Sequence, residues 1–253
     1  MKNIKPTILL TNDDGINSPG IIALERQLSH IGNIFVVAPD RERSAVSHSI
    51  TLHHPLRVHQ IDNQHFALDG TPTDCVLLGV LELLKIRPDI VISGINIGPN
   101  LGDDITFSGT VAAAMEGTLL GIPSCAISLN TRTASVDFKP ASIFSERITL
   151  SVLKQGLPKD TLLNVNIPLL PEKNIQGIRF VRQGRRIYRD SIIKKTDPRG
   201  RFYYWIGGEE PSHEREENTD FHAIEEGYIA ITPLHLNLTN DYFLKHQAHN
   251  LLS

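Results

Sequence analysis

Short apolar runs alternate along the first two thirds of the chain with longer stretches whose apolar residues recur every three or four positions. The runs TILLT at 7–11, IFVVA at 34–38, IVIS at 90–93, SCAISL at 124–129 and LLNVN at 162–166 predict strands buried on both faces. Between the first two, Ile21, Leu24, Leu28 and Ile31 fall at helical spacing, and Ser18-Pro19 supplies a cap and a first-turn proline. They predict a helix over 19–31. Thr71-Pro72-Thr73-Asp74 opens a second, almost wholly apolar helix that runs to Leu84. Further helices are predicted from Ser108-Gly109-Thr110 onward and over 141–155. Strands that alternate with helices pair in parallel through right-handed crossovers. Through residue 168 the chain therefore predicts an α/β sandwich around a mostly parallel sheet.

The pattern is less regular elsewhere. Segments 50–58 and 65–68 read as short strands of a β excursion. Beyond residue 168, segment 173–201 carries ten Lys/Arg against two Asp, and 209–226 is acidic in turn. Segments 175–181 and 228–232 read as strands, and 242–252 as a terminal helix. Asp197-Pro198-Arg199-Gly200 is a turn, and Tyr203-Tyr204-Trp205-Ile206 fits the second arm of a hairpin. There is no internal repeat and no clear linker, so 1–253 is read as one domain with a core over 1–168.

Composition narrows the class. A net charge of -3 gives no global reason to expect nucleic acid or an anionic membrane. No apolar stretch approaches the roughly 20 residues needed to span a bilayer. The N-terminal segment leads into a strand too short for a secretory leader. Cys75 and Cys125 lie in apolar surroundings and are read as reduced core thiols. A cytoplasmic enzyme is the expectation.

The candidate chemistry lies in the loops that follow the strands. The first strand stops in Asn12-Asp13-Asp14-Gly15, two adjacent carboxylates just past its carboxyl end. Ser44 lies in the polar loop after the second strand, and Asn96 in the glycine-flanked loop after 90–93. Ser108-Gly109-Thr110 is a helix start, where free N–H groups favour an anion. Parallel strands bring these loop mouths to one sheet edge. Singly, each has a plainer reading as turn, loop or cap. Together, Asp13, Asp14, Ser44 and Asn96 form an oxygen-rich set suited to a Mg²⁺- or Mn²⁺-like ion, with the helix start to hold phosphate. That set describes a phosphomonoester hydrolase. A covalent role for Asp13 or Asp14 is also chemically open. Nucleoside-triphosphatase and dinucleotide-binding glycine loops, a nucleophile elbow and a zinc-protease helix are all absent. His53-His54 is read as half-exposed strand.

The segments ILLTNDDG, VVAPDRERSAVSHSIT, GTPTDC, SGINIGPNLGDDITFSGTVAAAMEG and YIAITPLH, in that order over nearly the whole chain, resemble the SurE family of 5'/3'-nucleotidases. The resemblance implies a Rossmann-like three-layer sandwich with a protruding β-hairpin and a C-terminal segment exchanged between subunits, over 169–253. It implies a homodimer or homotetramer acting on nucleoside monophosphates, with short polyphosphate as a further substrate. It further implies one divalent metal ion per subunit held by Asp13, Asp14, Ser44 and Asn96, with Asp13, Asp14 and Asn96 as the catalytic group. By the same resemblance Ser108, Gly109 and Thr110 would contact the substrate phosphate. One departure is visible: the residue after the metal-loop serine, often Gly in that family, is Ala45 here, tolerable unless the backbone needs φ > 0.

The basic 173–201 stretch has two readings. It is a solvated hairpin region paired with the acidic 209–226 run, or Arg185, Arg186 or Lys194 gathers substrate at another subunit's site. His235 is read as structural. Two rivals to the enzyme are a nucleotide-binding regulatory module and an RNA-binding protein.

Overall fold

The computed structural model describes residues 5–187, 190–208 and 212–247. The strands in chain order are β1 (Thr7–Thr11), β2 (Asn33–Pro39), β3 (Val58–Gln60), β4 (His65–Leu68), β5 (Ile90–Ile97), β6 (Ser124–Asn130) and β7 (Thr161–Pro168). After them come β8 (Ile178–Phe180), β9 (Arg186–Ile187), β10 (Asp190–Thr196), β11 (Phe202–Gly208), β12 (Ser212–His213) and β13 (Ile229–His235). The helices are α1 (Pro19–Leu28), α2 (Pro72–Leu78), α3 (Gly109–Leu119), α4 (Lys139–Gln155), α5 (Asp220–Glu225) and α6 (Asp241–His246).

One nine-stranded sheet, ordered β3-β4-β2-β1-β5-β6-β7-β13-β8, forms the centre. From β4 to β7 all neighbours are parallel. Successive residues of β1 serve opposite faces, as the two-residue period of a strand requires. Ile8 and Leu10 pack with Leu24 and Leu28 of α1 and Phe144 and Ile148 of α4. Leu9 packs with Val37, Val91, Cys75 and Val76 of α2, and Ala113 of α3. Both faces are covered by helices, so the expected three-layer α/β sandwich is present. Beyond β7 the sheet changes sense, because β13 pairs antiparallel with β7 and parallel with β8.

The expected hairpin is β10 paired antiparallel with β11 across the 197–200 turn. Several of its apolar side chains are exposed, including Ile192, Phe202, Tyr204, Trp205 and Ile206. It forms a sheet of its own and protrudes.

Some boundaries differ from those the sequence predicts. Segment 50–58 is irregular up to Val58, because Asp74 anchors it instead of a ladder: the Thr51 N–H and hydroxyl both donate to that carboxylate. The same carboxylate completes the capping box of α2 with Thr71. His53 and His54 are therefore exposed loop residues, not strand. Helix α1 ends at Leu28, where the Ile31 and Gly32 N–H groups turn back onto its carbonyl. The 175–181 strand is confined to Ile178–Phe180, and the 228–232 strand extends to His235. Helix α5 lies in a segment that reads only as acidic; Thr219 caps it. The terminal helix 242–252 is seen as α6, and residues 248–253 lie outside the described ones.

Candidate active site at the β1–β5 switch point

From β1 the chain moves to β2 on one side of the sheet, and the later strands β5, β6 and β7 lie on the other. Such a reversal opens a crevice at the carboxyl ends of the central strands. Asp13 and Asp14 follow β1, Asn96 lies at the end of β5, and α3 begins just beyond.

Asn12 sets the acidic turn. It is fully buried, and its amide donates to the Gly15 carbonyl and the Ser18 hydroxyl, both at 2.9 Å. The backbone then sends the two aspartates in different directions. Asp13 is buried and turns to α3, where its Oδ1 accepts from the Thr110 hydroxyl at 2.5 Å. The Gly109 and Thr110 N–H groups also act on it, so the helix start is directed at this carboxylate. Gly109 has no room for a side chain, since a Cβ there would stand 2.9 Å from the Asp13 Cβ. Asp14, half-buried, turns to β5 and accepts from the Ile97 N–H at 3.0 Å.

Asn96 follows a shift in the β5–β6 register between Ser93 and Asn96. Its amide donates to the Gly98 carbonyl at 2.8 Å, leaving its oxygen as the remaining group. The loop is pinned from below by buried polar groups. Asn100 donates its N–H to Asn166 and its amide to Ser128, and its carbonyl accepts from Asn164 and Asn166. Asp220 accepts the Gly102 and Gly184 N–H groups.

Ser44 stands apart. Its exposed hydroxyl donates to Glu42 at 2.7 Å, and among the described residues no hydrogen bond joins it to Asp13, Asp14 or Asn96. Its neighbour Arg43 makes the connection, donating its N–H to the Asp13 carbonyl at 2.7 Å. On the far side of Ser44, Ser47 donates its N–H to the Phe107 carbonyl and its hydroxyl to that of Thr106. The Ser44 loop is thus strapped to both the acidic turn and the start of α3. Ala45 in that loop has φ +56°, so the backbone does take the left-handed conformation that glycine accepts freely.

Burial raises the Asp13 carboxyl above the ordinary carboxylate range, against the lowering pull of Thr110 and the α3 N–H groups. Burial and the Asp13 charge raise Asp14 to about 7; the Ile97 N–H opposes this and Glu42 adds to it. Among the described residues neither aspartate has an ion-pair partner. Two such carboxylates side by side, with the Asn96 amide oxygen at the adjacent strand end, fit a hard divalent cation. No set of three or more His, Cys, Asp or Glu arranged for a metal occurs among the described residues. A site here would need its neutral oxygens.

A family model described as Survival protein SurE matches residues 8–190. The chain belongs to the SurE family. The 5'-nucleotidase SurE of Geobacter sulfurreducens is 57% identical over 233 residues, 92% of this chain and 89% of that protein. The 5'-nucleotidase SurE of Geotalea daltonii is 52% identical over 92% of this chain and 94% of its own. The crystal structure of the SurE protein from Aquifex aeolicus superposes with a TM-score of 0.85 at 46% identity, covering 97% of this chain and 99% of that one.

Within this SurE fold the structure brings Asp13, Gly109 and Thr110 into contact and sets Asp14 beside the Asn96 strand end. Sequence reasoning missed the supports. Asn12, Arg43, Asn100 and Asp220 carry no pattern of their own, although an asparagine inside a buried apolar run is a signal that a hydrogen bond must be met there. Of the basic residues, Arg179, Arg182, Arg185 and Arg186 pair with Glu226, Glu216, Glu214 and Asp104. His235 is exposed and accepts the Asn237 N–H, a turn-forming role.

Proposed function

We propose that this chain is a divalent-metal-dependent 5'-nucleotidase, a phosphoric monoester hydrolase acting on nucleoside monophosphates. The observation that carries the reading is the unpaired Asp13–Asp14 couple at the switch point, with one carboxylate seated on the start of α3. Asp13, Asp14, the Asn96 oxygen and the Ser44 hydroxyl, once released from Glu42, would hold a Mg²⁺ or Mn²⁺ ion. When bound, such an ion acidifies a water and offsets charge on the phosphoryl group.

The chain's own residues orient the reaction. Thr110 fixes the Asp13 carboxylate through Oδ1, and Oδ2 lies beside Gly109 at the helix start. Because the Thr110 hydroxyl is committed to Asp13, it positions a ligand instead of holding phosphate by its own proton. Ser108 accepts the Val111 N–H through its oxygen, and the Gly109 and Thr110 N–H groups are directed at Asp13, so the Ser108 proton is the group left to donate to a phosphate oxygen.

Further parts of the reading have their own support. An open crevice edge suits short polyphosphate as a second substrate and 3'-monophosphates as alternatives. The apolar hairpin supports a homodimer or homotetramer with an exchanged tail. Free buried cysteines support a cytoplasmic setting, and no described helix is long and apolar enough to cross a membrane.

The test is phosphate release from AMP and GMP with Mn²⁺, with Mg²⁺ and with EDTA. Metal-dependent release is expected, abolished by EDTA and by Asp14→Ala while the far-UV spectrum stays native. Nucleotide binding without release in any metal would favour a regulatory module. Near-normal release by Asp14→Ala would take Asp14 out of the metal set.

A further inference from the structure

The turn that leads into the phosphate cradle carries a feature the reading above leaves unused. Phe107, immediately before Ser108, is 56% exposed although its backbone is fixed on both sides. Its N–H donates to the Asp104 carbonyl and its own carbonyl accepts the Ser47 N–H, each at 3.0 Å. Ile105, two residues earlier, is buried. A fixed backbone that leaves more than half of a phenyl ring in water obtains little packing from it. It does present a flat apolar face at little further entropic cost.

The surroundings define what that face suits. The cleft beside Asp14 is walled by Gly15, Asp40, Arg41 and Glu42 together with Pro19 and Ile97, and none of these side chains is aromatic. The Phe107 ring projects from the residue next to Ser108. Consecutive Cα atoms are about 3.8 Å apart, so the residue that carries the ring is the immediate neighbour of the α3 start, where a phosphate would be held. Phe107 meanwhile shares the Ser47 strap with the Ser44 loop, so ring, cradle and metal loop move as one unit.

We propose that Phe107 is the platform on which the nucleobase of the substrate stacks, which makes it a specificity-determining residue. The proposal rests on the nucleotidase reading. Stacking on a phenyl face uses the π surface that every base has, so the platform selects nucleotides over other phosphomonoesters without choosing among bases.

The experiment uses the full chain with Mn²⁺ and two measurements. The first is kcat/KM for AMP relative to ribose 5-phosphate, which lacks the base. The second is calorimetric affinity for AMP relative to inorganic phosphate, which needs no turnover. For Phe107→Ala, both ratios should fall about tenfold, the loss typical of one base–aromatic stack. Phe107→Trp should keep them. Ratios unchanged in Phe107→Ala, or AMP and ribose 5-phosphate activities falling together, would overturn the platform. So would a wild type that binds AMP no more tightly than phosphate. AMP binding that depends on Phe107 in a protein without turnover would uphold the platform and overturn the nucleotidase reading instead.

Discussion

At the scale of single residues, the Ser44 loop shows how a site strains its own backbone. Ala45 sits at φ +56° in a loop tied at Arg43 to the acidic turn and at Ser47 to Thr106 and Phe107. With both ends fixed, the residue between them cannot relax. A left-handed alanine costs about 1–2 kcal/mol that glycine does not incur, part of which glycine returns through its freer unfolded chain. Ala45→Gly should therefore stabilise the protein by about 0.5–1 kcal/mol. It should show as a higher urea midpoint with an unchanged slope. A lower midpoint would mean that the Ala45 methyl packs more usefully than its exposure indicates.

At the scale of elements, one histidine couples the first crossover helix to the edge of the sheet. His65, at the start of β4, meets Glu25 of α1 through Nε2 and Asp62 through Nδ1, each at 2.8 Å. Burial lowers its pKa, but the hydrogen bonds and charges of Asp62 and Glu25 outweigh that, and the net shift is upward from 6.5. A raised folded pKa means that the charged form stabilises the fold. The contribution is complete below 6.5 and is lost as pH rises through the raised folded value. With both carboxylates partly solvated, it is about 0.5 kcal/mol. His65→Gln should accordingly lower stability more at pH 5.5 than at pH 9. Urea unfolding of the two proteins at each pH measures it, and an equal loss at both would assign His65 a packing role only.

Elements were legible in proportion to how much burial dictated them. Strands β1, β2, β5, β6 and β7, covered on both faces, announce themselves as apolar runs, and the helices between them as period-3.6 patterns. Parallel pairing then gives the switch point, and with it Asp13, Asp14 and Asn96. Segment 50–57 was illegible because its order comes from Asp74, a residue far along the chain. The same holds for Ser44. Its position in the loop after β2 follows from sequence, but its hydrogen bond to Glu42 does not. The commitment of Thr110 to Asp13 is likewise a fact of side-chain geometry between β1 and α3.

At the scale of the whole molecule, the layered core and the hairpin obey different rules. The core buries its apolar residues within one chain. The hairpin leaves Ile192, Phe202, Tyr204, Trp205 and Ile206 more than half exposed, on both of its faces. Lys194 lies 3.7 Å from the centre of the Phe202 ring, covering only part of that surface. Isolated two-stranded hairpins are marginal in water, and contiguous exposed apolar surface of this kind marks an association site. In the proposed homo-oligomer a second copy of the chain would supply the matching apolar face through a symmetric contact. Removing apolar area from the hairpin should therefore act on assembly and spare the core. In Trp205→Lys with Ile206→Lys, sedimentation at micromolar concentration should show a smaller species than the wild type. The loss of the two side chains amounts to a few kcal/mol per contact, about 100-fold or more in the association constant. The far-UV spectrum of the sandwich should persist. An unchanged sedimentation profile would move the association surface away from the hairpin, toward the tail that carries α6.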